Sequence, residues 1–237
     1  MDARLDFWIE WAEGPAFRFA IAICLLGLLR HVVLTVLWAR RTYSLAGDKV
    51  VPWKAVRQST LSWLFPVRHI QHRLVFSAAS IGFHAGVILA PPFLAAHVLL
   101  IEQSIALSWP TLPVLVADIL TIAAIAGLLV VFVLRLWSPS AQALNRIQDY
   151  ALPPVVALPF ISGFLASHPA WNPFPYQVTL LVHVLSGNLL LVLIPLTKLA
   201  HLALQPATQL ITELGWHFPP DGGEKVARAL GKENQPI

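Results

Sequence analysis

Residues 178–204 read VTLLVHVLSGNLLLVLIPLTKLAHLAL and contain one charged side chain, Lys198. An apolar run of about 20 residues is long enough to cross the hydrocarbon core of a bilayer as a helix. His183 and His201 are 18 residues apart in this run, and 18 residues make five whole turns of an ideal helix. Both imidazoles are therefore expected on one face of a membrane helix, about 27 Å apart along its axis.

The composition of the whole chain is that of a membrane protein. Of its 237 residues 57% are hydrophobic and 12% are charged, about half the charged fraction of a soluble domain. The single cysteine, Cys24, excludes an internal disulfide, a protein-held iron–sulfur cluster, a Cys-rich zinc site and a C-x-x-C-H covalent haem site. The net charge of +4 does not indicate a nucleic-acid partner, because the basic residues lie in loops between apolar runs.

The apolar runs predict an all-α integral membrane protein with five transmembrane helices, because a chain in lipid must satisfy its backbone hydrogen bonds internally. We expect a membrane domain at 16–206, whose helices cover residues 16–38, 74–101, 112–134, 151–167 and 178–204. Outside these helices we expect an outer N-terminal segment at 1–15, an inner interfacial segment at 39–73 and a cytoplasmic tail at 207–237. The acidic N-terminus has the wrong charge for a cleavable signal peptide.

Counts of Lys and Arg predict the orientation of the helices. Residues 38–73 hold seven Lys or Arg against one acid, Asp48, whereas the connections at 102–111 and 168–177 hold no Lys or Arg. The N-terminus is therefore expected outside and the C-terminus inside. Tryptophans then mark both interfaces: Trp109 and Trp171 the outer one, and Trp38, Trp63 and Trp137 the inner one.

Four of the nine histidines lie well inside predicted spans, and an ionisable residue in a membrane is a functional hypothesis by default. The second and fifth helices run in opposite directions. His97 and His183 are therefore expected at the outer level, and His84 and His201 at the inner level. Neutral imidazole is a good iron ligand, and two imidazoles on one iron leave no open position. The pattern predicts two stacked b haems between helices 2 and 5, each with two His ligands.

The second helix poses a geometric difficulty for this assignment. Thirteen residues leave the rings of His84 and His97 about 140° apart on a straight helix. The tandem prolines Pro91-Pro92 lie between them and can re-aim one ring. A rival assignment pairs His69 or His72 with His84 and needs the helix to begin earlier, among charged residues. A third interpretation is that the membrane histidines only hydrogen-bond across helices.

A family resemblance supports the haem interpretation. His183, Gly187, Pro195, Lys198 and His201 follow one another in the order and kind of residue found in the last helix of the cytochrome b (gamma) subunit of respiratory nitrate reductase, which this stretch resembles. Residues 83–88 (FHAGVI) resemble that family's second helix around its inner haem ligand. Residues 135–139 (RLWSP) with Asp149 resemble its third-to-fourth loop, and the likeness covers residues 74–206.

The resemblance implies an electron-transfer subunit of a larger oxidoreductase rather than a stand-alone enzyme. Menaquinol or ubiquinol would be oxidised near the outer haem, and electrons would cross to the inner haem and then to a soluble Fe–S subunit. Similar subunits occur with heterodisulfide-reductase-like and multihaem cytochrome c complexes. The implied location is a bacterial or archaeal cytoplasmic membrane. The alternative function is a non-redox membrane protein, either a small His-dependent transporter or a structural anchor.

Two features depart from the family pattern. The family's two His on the second helix are about ten residues apart, where this chain has Leu94. His97 fits if three residues are inserted near Pro91-Pro92, and Leu112-Pro113 downstream keeps the same offset. The family also has a lysine near the outer end of its third helix, close to the quinone site. Asp118 is the nearest ionisable residue in this chain.

Four further residues are candidates for the haem sites. Lys198, near His201, and Arg30, in the first span, are placed to hold a propionate or to snorkel to the headgroups. Gly86 and Gly187 follow predicted ligands, and their lack of a side chain allows either a flat macrocycle or a neighbouring helix to approach the backbone. Residues 54–73 read as an interfacial helix, which we expect to dock soluble partners together with the tail.

Overall fold

The computed structural model describes residues 3–47, 50–64, 74–215 and 219–233. No strand occurs in these ranges, which consist of helices joined by short connections. In chain order they are α1 (Ala3–Trp11), α2 (Phe17–Leu45), α3 (Trp53–Leu64), α4 (Leu74–Phe93), α5 (Ala95–Ile105), α6 (Val114–Trp137), α7 (Pro139–Leu144), α8 (Ile147–Ser167), α9 (Tyr176–Leu196), α10 (His201–Gly215) and α11 (Gly222–Ala229). A π-helical turn, Ala12–Ala16, joins α1 to α2.

Five helical stretches of the described chain are long and apolar enough to cross a bilayer. They are Ala3–Leu45, Leu74–Phe93, Val114–Trp137, Ile147–Ser167 and Tyr176–Leu196. The expectation of an all-α, multi-pass membrane protein with five spans is therefore confirmed. The third and fourth helices differ from the expected bounds by at most four residues. The first, second and fifth differ more, and each of these differences has a local cause.

The first helical stretch begins before the expected span. Residues 3–15, which we expected outside the membrane domain, are helical and pack along α9. The Gln177 side chain donates to Asp6 Oδ1 at 2.6 Å, and the buried Asn188 amide donates to the Ala12 carbonyl at 2.8 Å. Pro15 does not end the helix, because the wider π turn accommodates its missing N–H.

This first stretch is also longer than a bilayer requires. It contains 43 residues, which at 1.5 Å per residue make about 64 Å, roughly twice the thickness of the hydrocarbon core. Only part of it can therefore lie in lipid.

The expected second helix, 74–101, is in fact two helices. Leu94 has an extended backbone (φ −72°, ψ 133°) and separates α4 from α5. Pro91 and Pro92 occupy the last turn of α4 and contribute no N–H to the helical ladder. The bend that we expected at the prolines is thus a complete break, and His97 lies on the separate helix α5.

The expected fifth helix, 178–204, is also interrupted. Thr197 is extended (φ −127°, ψ −173°) and a 3-10 turn, Lys198–Ala200, follows it before α10 begins at His201. Pro195 offers no N–H, and the Thr197 hydroxyl donates to the Leu193 carbonyl at 2.8 Å in competition with the backbone. His183 and His201 therefore lie on two separate helices, and the expectation that they share one face of one helix is wrong.

The chain divides into two compact units. The first comprises Met1–Leu25 and His69–Lys198, and the second comprises Leu26–Arg68 and Leu199–Ile237. In the first unit α4 packs against α6, and α8 packs against both α6 and α9. In the second unit α3 packs against α10. The expected interfacial segment and the expected tail thus both contribute helices to the second unit.

Close packing of α4 on α6 explains one glycine. A Cβ added to Gly86 would overlap the Leu120 carbonyl oxygen and lie 2.7 Å from the Ala124 Cβ. The space beside Gly86 is therefore filled by α6. Our expectation that Gly86 admits a flat macrocycle is wrong, and the alternative of helix packing holds.

Candidate functional site

The imidazole rings of His97 on α5 and His183 on α9 face each other inside the first unit. Their Nε2 atoms lie 3.4 Å apart, and the ring planes are inclined by 10° with centroids 5.7 Å apart. The near edges of two almost parallel rings thus point at one another. These two histidines are 86 residues apart in the sequence, so the contact is made by the fold.

The second nitrogen of each ring fixes the tautomer. His97 Nδ1 lies 2.7 Å from the Pro91 carbonyl oxygen, and His183 Nδ1 lies 2.8 Å from the Pro159 carbonyl oxygen. A carbonyl only accepts, so each Nδ1 carries the proton and donates it. In the neutral rings both Nε2 atoms then present lone pairs to the 3.4 Å gap. This is the arrangement that metal-ligating histidines adopt when a backbone carbonyl orients them.

The position of His97 follows from how the chain satisfies the C-terminus of α4. The last four carbonyls of a helix have no partner within it, and each of the four here receives a donor. Ala90 accepts from the Leu94 N–H at 2.9 Å, and Pro91 accepts from the His97 ring. The other two carbonyls accept from outside α4 and α5: Pro92 from the Trp109 indole at 2.8 Å and Phe93 from the Leu112 N–H at 2.9 Å. The hydrogen bonds that satisfy the C-terminus of α4 after the break at Leu94 therefore also orient the His97 ring.

The position of His183 depends on a glycine in α8. A Cβ added to Gly163 would lie 2.7 Å from Cε1 and 2.9 Å from Nδ1 of the His183 ring. Carbon atoms pack at about 3.5–4.0 Å, so only glycine admits the ring at this distance. Gly163 is four residues, one helical turn, beyond Pro159, whose carbonyl orients the same ring. Neither the role of Gly163 nor that of the Pro159 carbonyl was predicted from the sequence.

Two nitrogens that both present lone pairs attract each other only through a positive species between them, either a proton or a metal ion. Bonds from imidazole to a first-row metal are about 2.0–2.1 Å, so a linear N–metal–N arrangement needs about 4 Å. The observed 3.4 Å is within about 0.6 Å of that separation. In the described ranges no group of three or more His, Cys, Asp or Glu could hold a metal ion.

The other predicted ligands are placed as follows. His84 is exposed on α4, and its Nδ1 lies 2.7 Å from the Ser80 carbonyl, so the same tautomer leaves Nε2 as the unprotonated nitrogen. His201 is exposed at the start of α10, in the other unit. The pairing of His84 with His201 therefore stays a prediction. His69 and His72, the ligands of the rival assignment, lie outside the described residues.

The remaining candidates have different surroundings. Lys198 forms an ion pair with Asp149, which also accepts from Arg135 Nη1 at 3.0 Å and from the Arg146 backbone N–H at 2.8 Å. A propionate at Lys198 would therefore share the ammonium group with Asp149. A Cβ added to Gly187 would meet nothing within 4 Å, so space remains beside that backbone.

Arg30 is exposed on the part of α2 that belongs to the second unit. Its two predicted alternatives, a propionate partner and a snorkelling side chain, both stay predictions.

Comparison with known proteins identifies one relative. A protein of Nitratidesulfovibrio vulgaris (strain Hildenborough) is 34% identical over 200 residues, which cover 81% of this chain and 85% of the relative. The chain belongs to the family of this N. vulgaris protein. The relative's name states no activity, so the match shows kinship and not function. No family model and no solved structure matches the chain.

Proposed function

We propose that this chain is the di-haem cytochrome b subunit of a respiratory oxidoreductase complex, and that it carries electrons between the membrane quinone pool and partner redox subunits. The observation that carries the proposal is the facing pair His97 and His183. Two rings from helices distant in sequence present unprotonated Nε2 atoms to one gap of 3.4 Å, and backbone carbonyls orient both.

The residues present fit an outer b haem. His97 and His183 would hold it, with Gly163 providing room for the His183 ring. Bis-imidazole coordination leaves no open position on the iron, so a haem bound there would supply one-electron transfer and not oxygen binding. The orienting carbonyls raise the basicity of the ligand nitrogens and hold the rings against rotation. The bound site would need the rings to separate by about 0.6 Å relative to the structure.

We propose that His84 and His201 bind the second haem. His84 has its Nδ1 on a backbone carbonyl, as the outer ligands do. Lys198 and Arg30 are the proposed propionate partners, and Gly187 the residue that leaves room for a macrocycle. Together with the resemblance to the nitrate reductase gamma subunit, this arrangement supports one haem near each membrane surface.

The remainder of the proposal concerns the setting of the subunit. We infer an N-terminus outside and a C-terminus inside a bacterial or archaeal cytoplasmic membrane, because the Lys and Arg residues concentrate in residues 38–73. The proposed quinol is menaquinol or ubiquinol, which either donates electrons to the subunit or is formed when the subunit reduces the quinone. The proposed partners are an Fe–S subunit and, in some complexes, a multihaem cytochrome c.

A pyridine haemochrome assay with protein quantitation tests this function. The full chain, purified from its own membranes, is expected to hold two b haems. A ratio of one would reject the two-haem assignment. A colourless, fully folded sample would reject the cytochrome and favour the alternative, a small transporter or structural anchor.

A further inference from the structure

A second pair of facing ionisable groups lies at the same end of the first unit as His97 and His183. His168, which follows the last residue of α8, places its Nε2 3.4 Å from Oδ2 of Asp118 in the second turn of α6. Gly163 on α8 touches the His183 ring, and His168 follows it by five residues, a rise of about 7.5 Å. The pair therefore lies close to the proposed outer haem ligands without being part of them.

The tautomer of His168 makes this pair a proton site. Its Nδ1 lies 2.9 Å from the Phe164 carbonyl oxygen and therefore donates to it. The Nε2 lone pair of the neutral ring would then face a carboxylate oxygen, which is also an acceptor. The contact is attractive only when one proton is bound by the pair, on the imidazole or on the carboxyl group. The pair thus shares one proton at this end of the unit.

Aromatic rings line the same position. The His168 ring stacks on Phe164 with centroids 4.2 Å apart and an angle of 23°, and the Trp171 ring lies 6.4 Å from it. Trp171 is 71% exposed, and the His168 and Asp118 side chains are 29% and 28% exposed. A planar ring can therefore reach both an aromatic face and the proton site.

The segments that carry the pair contain few charged side chains, while α1, which packs on α9 in the same unit, carries Arg4, Asp6 and Glu10. Residues 102–134 and 150–197 contain no Lys or Arg, and Glu102 and Asp118 are their acids. The other titratable side chains of these segments are His183 on α9 and the phenols of Tyr150 and Tyr176. In the part of the chain that the structure describes, no third His, Cys, Asp or Glu joins the pair to make a metal site. An uncharged ligand with an ionisable hydroxyl suits these surroundings.

We propose that Asp118 and His168 form the head-group site of the quinol and accept its proton; this inference rests on the proposed function. The quinol hydroxyl donates a hydrogen bond to the deprotonated pair, and its ring lies against Trp171. Oxidation of a quinol to a quinone releases two electrons and two protons. The electrons go to the one-electron acceptor of the proposed function. The pair takes the protons one at a time and passes each to water.

Binding of menadiol tests the site without any need for haem. Wild type, Asp118→Asn and His168→Gln are titrated anaerobically with menadiol in lipid nanodiscs. Both changes should weaken binding about tenfold, the value of one hydrogen bond to a charged group. Glu102→Gln alters an exposed acid outside the pair and should bind as wild type does.

A stopped-flow measurement adds the proton role. Haem reduction by menadiol should slow about tenfold in both pair variants, whereas dithionite should reduce the same amount of haem in every variant. Wild-type binding and reduction rates in both pair variants would overturn the inference. If the chain contains no haem but still binds menadiol more tightly than both pair variants do, the proposed cytochrome function is rejected and the proposed site is supported.

Discussion

The substitution Gly163→Ala tests how the His183 ring is held. The added Cβ would lie 2.7 Å from Cε1 and 2.9 Å from Nδ1 of that ring, against about 3.5 Å for an ordinary contact. The ring must therefore retreat by about 0.8 Å or α8 must shift away from α9. Either movement strains the 2.8 Å hydrogen bond from Nδ1 to the Pro159 carbonyl. Loss of such an orienting contact weakens metal affinity about 10–100-fold.

The assay is a haem titration of the purified variant, followed by optical redox titration. We expect the outer haem to bind about 10–100-fold more weakly, with the inner haem unchanged. Gly82→Ala is the matched control, since its added Cβ would sit 3.8 Å from Ala123, an ordinary contact. Full occupancy of both haems in Gly163→Ala, with unchanged spectra and potentials, would refute the reasoning.

Three further outcomes are expected. His201→Ala should leave one b haem per chain by pyridine haemochrome assay, because the outer ligands are untouched; retention of both haems with unchanged potentials would count against the assignment. Trp109→Phe keeps the ring but removes the donor to the Pro92 carbonyl, and should lower the thermal midpoint by a few degrees, for a loss of about 1 kcal/mol. Asp149→Asn weakens the ion pair with Lys198 and should destabilise the chain by about 1 kcal/mol in the same assay; an unchanged midpoint would show that the pair contributes nothing.

The sequence predicted the class of protein and the number of spans, because both depend on the length and polarity of apolar runs. It also matched His97 with His183 by depth and by a constant three-residue offset. The facing angle of about 140° argued against that match. This objection assumed a straight helix, whereas Leu94 is extended and α5 has a new direction.

The errors have a common physical origin. The composition of a segment shows how apolar it is, but it does not show where the backbone hydrogen bonds of the helix are interrupted. The first helix continues through Pro15 as a π turn, while the fifth stops at Thr197 after Pro195. Both sites contain a proline in an apolar run, and neighbouring contacts decide the outcome. The Asn188 amide meets the Ala12 carbonyl in the first case.

Gly163 and the Pro159 carbonyl were not found because their roles exist only between helices. A glycine four residues after a proline is a weak signal in a Pro-rich span. The same holds for Asp118 and His168, which are 50 residues apart and meet only when α6 and α8 pack. Conversely, Gly86 stood beside a predicted ligand in sequence but packs against α6.

The haem-to-chain ratio of His97→Ala tests the central claim most directly. If His97 and His183 hold one b haem, the variant should contain one haem where wild type contains two. His69→Ala and His72→Ala, the rival ligands, should each keep two. Two haems in His97→Ala, together with loss of one haem in His69→Ala or His72→Ala, would contradict the account and shift the haem pair inward, with His84 facing His183.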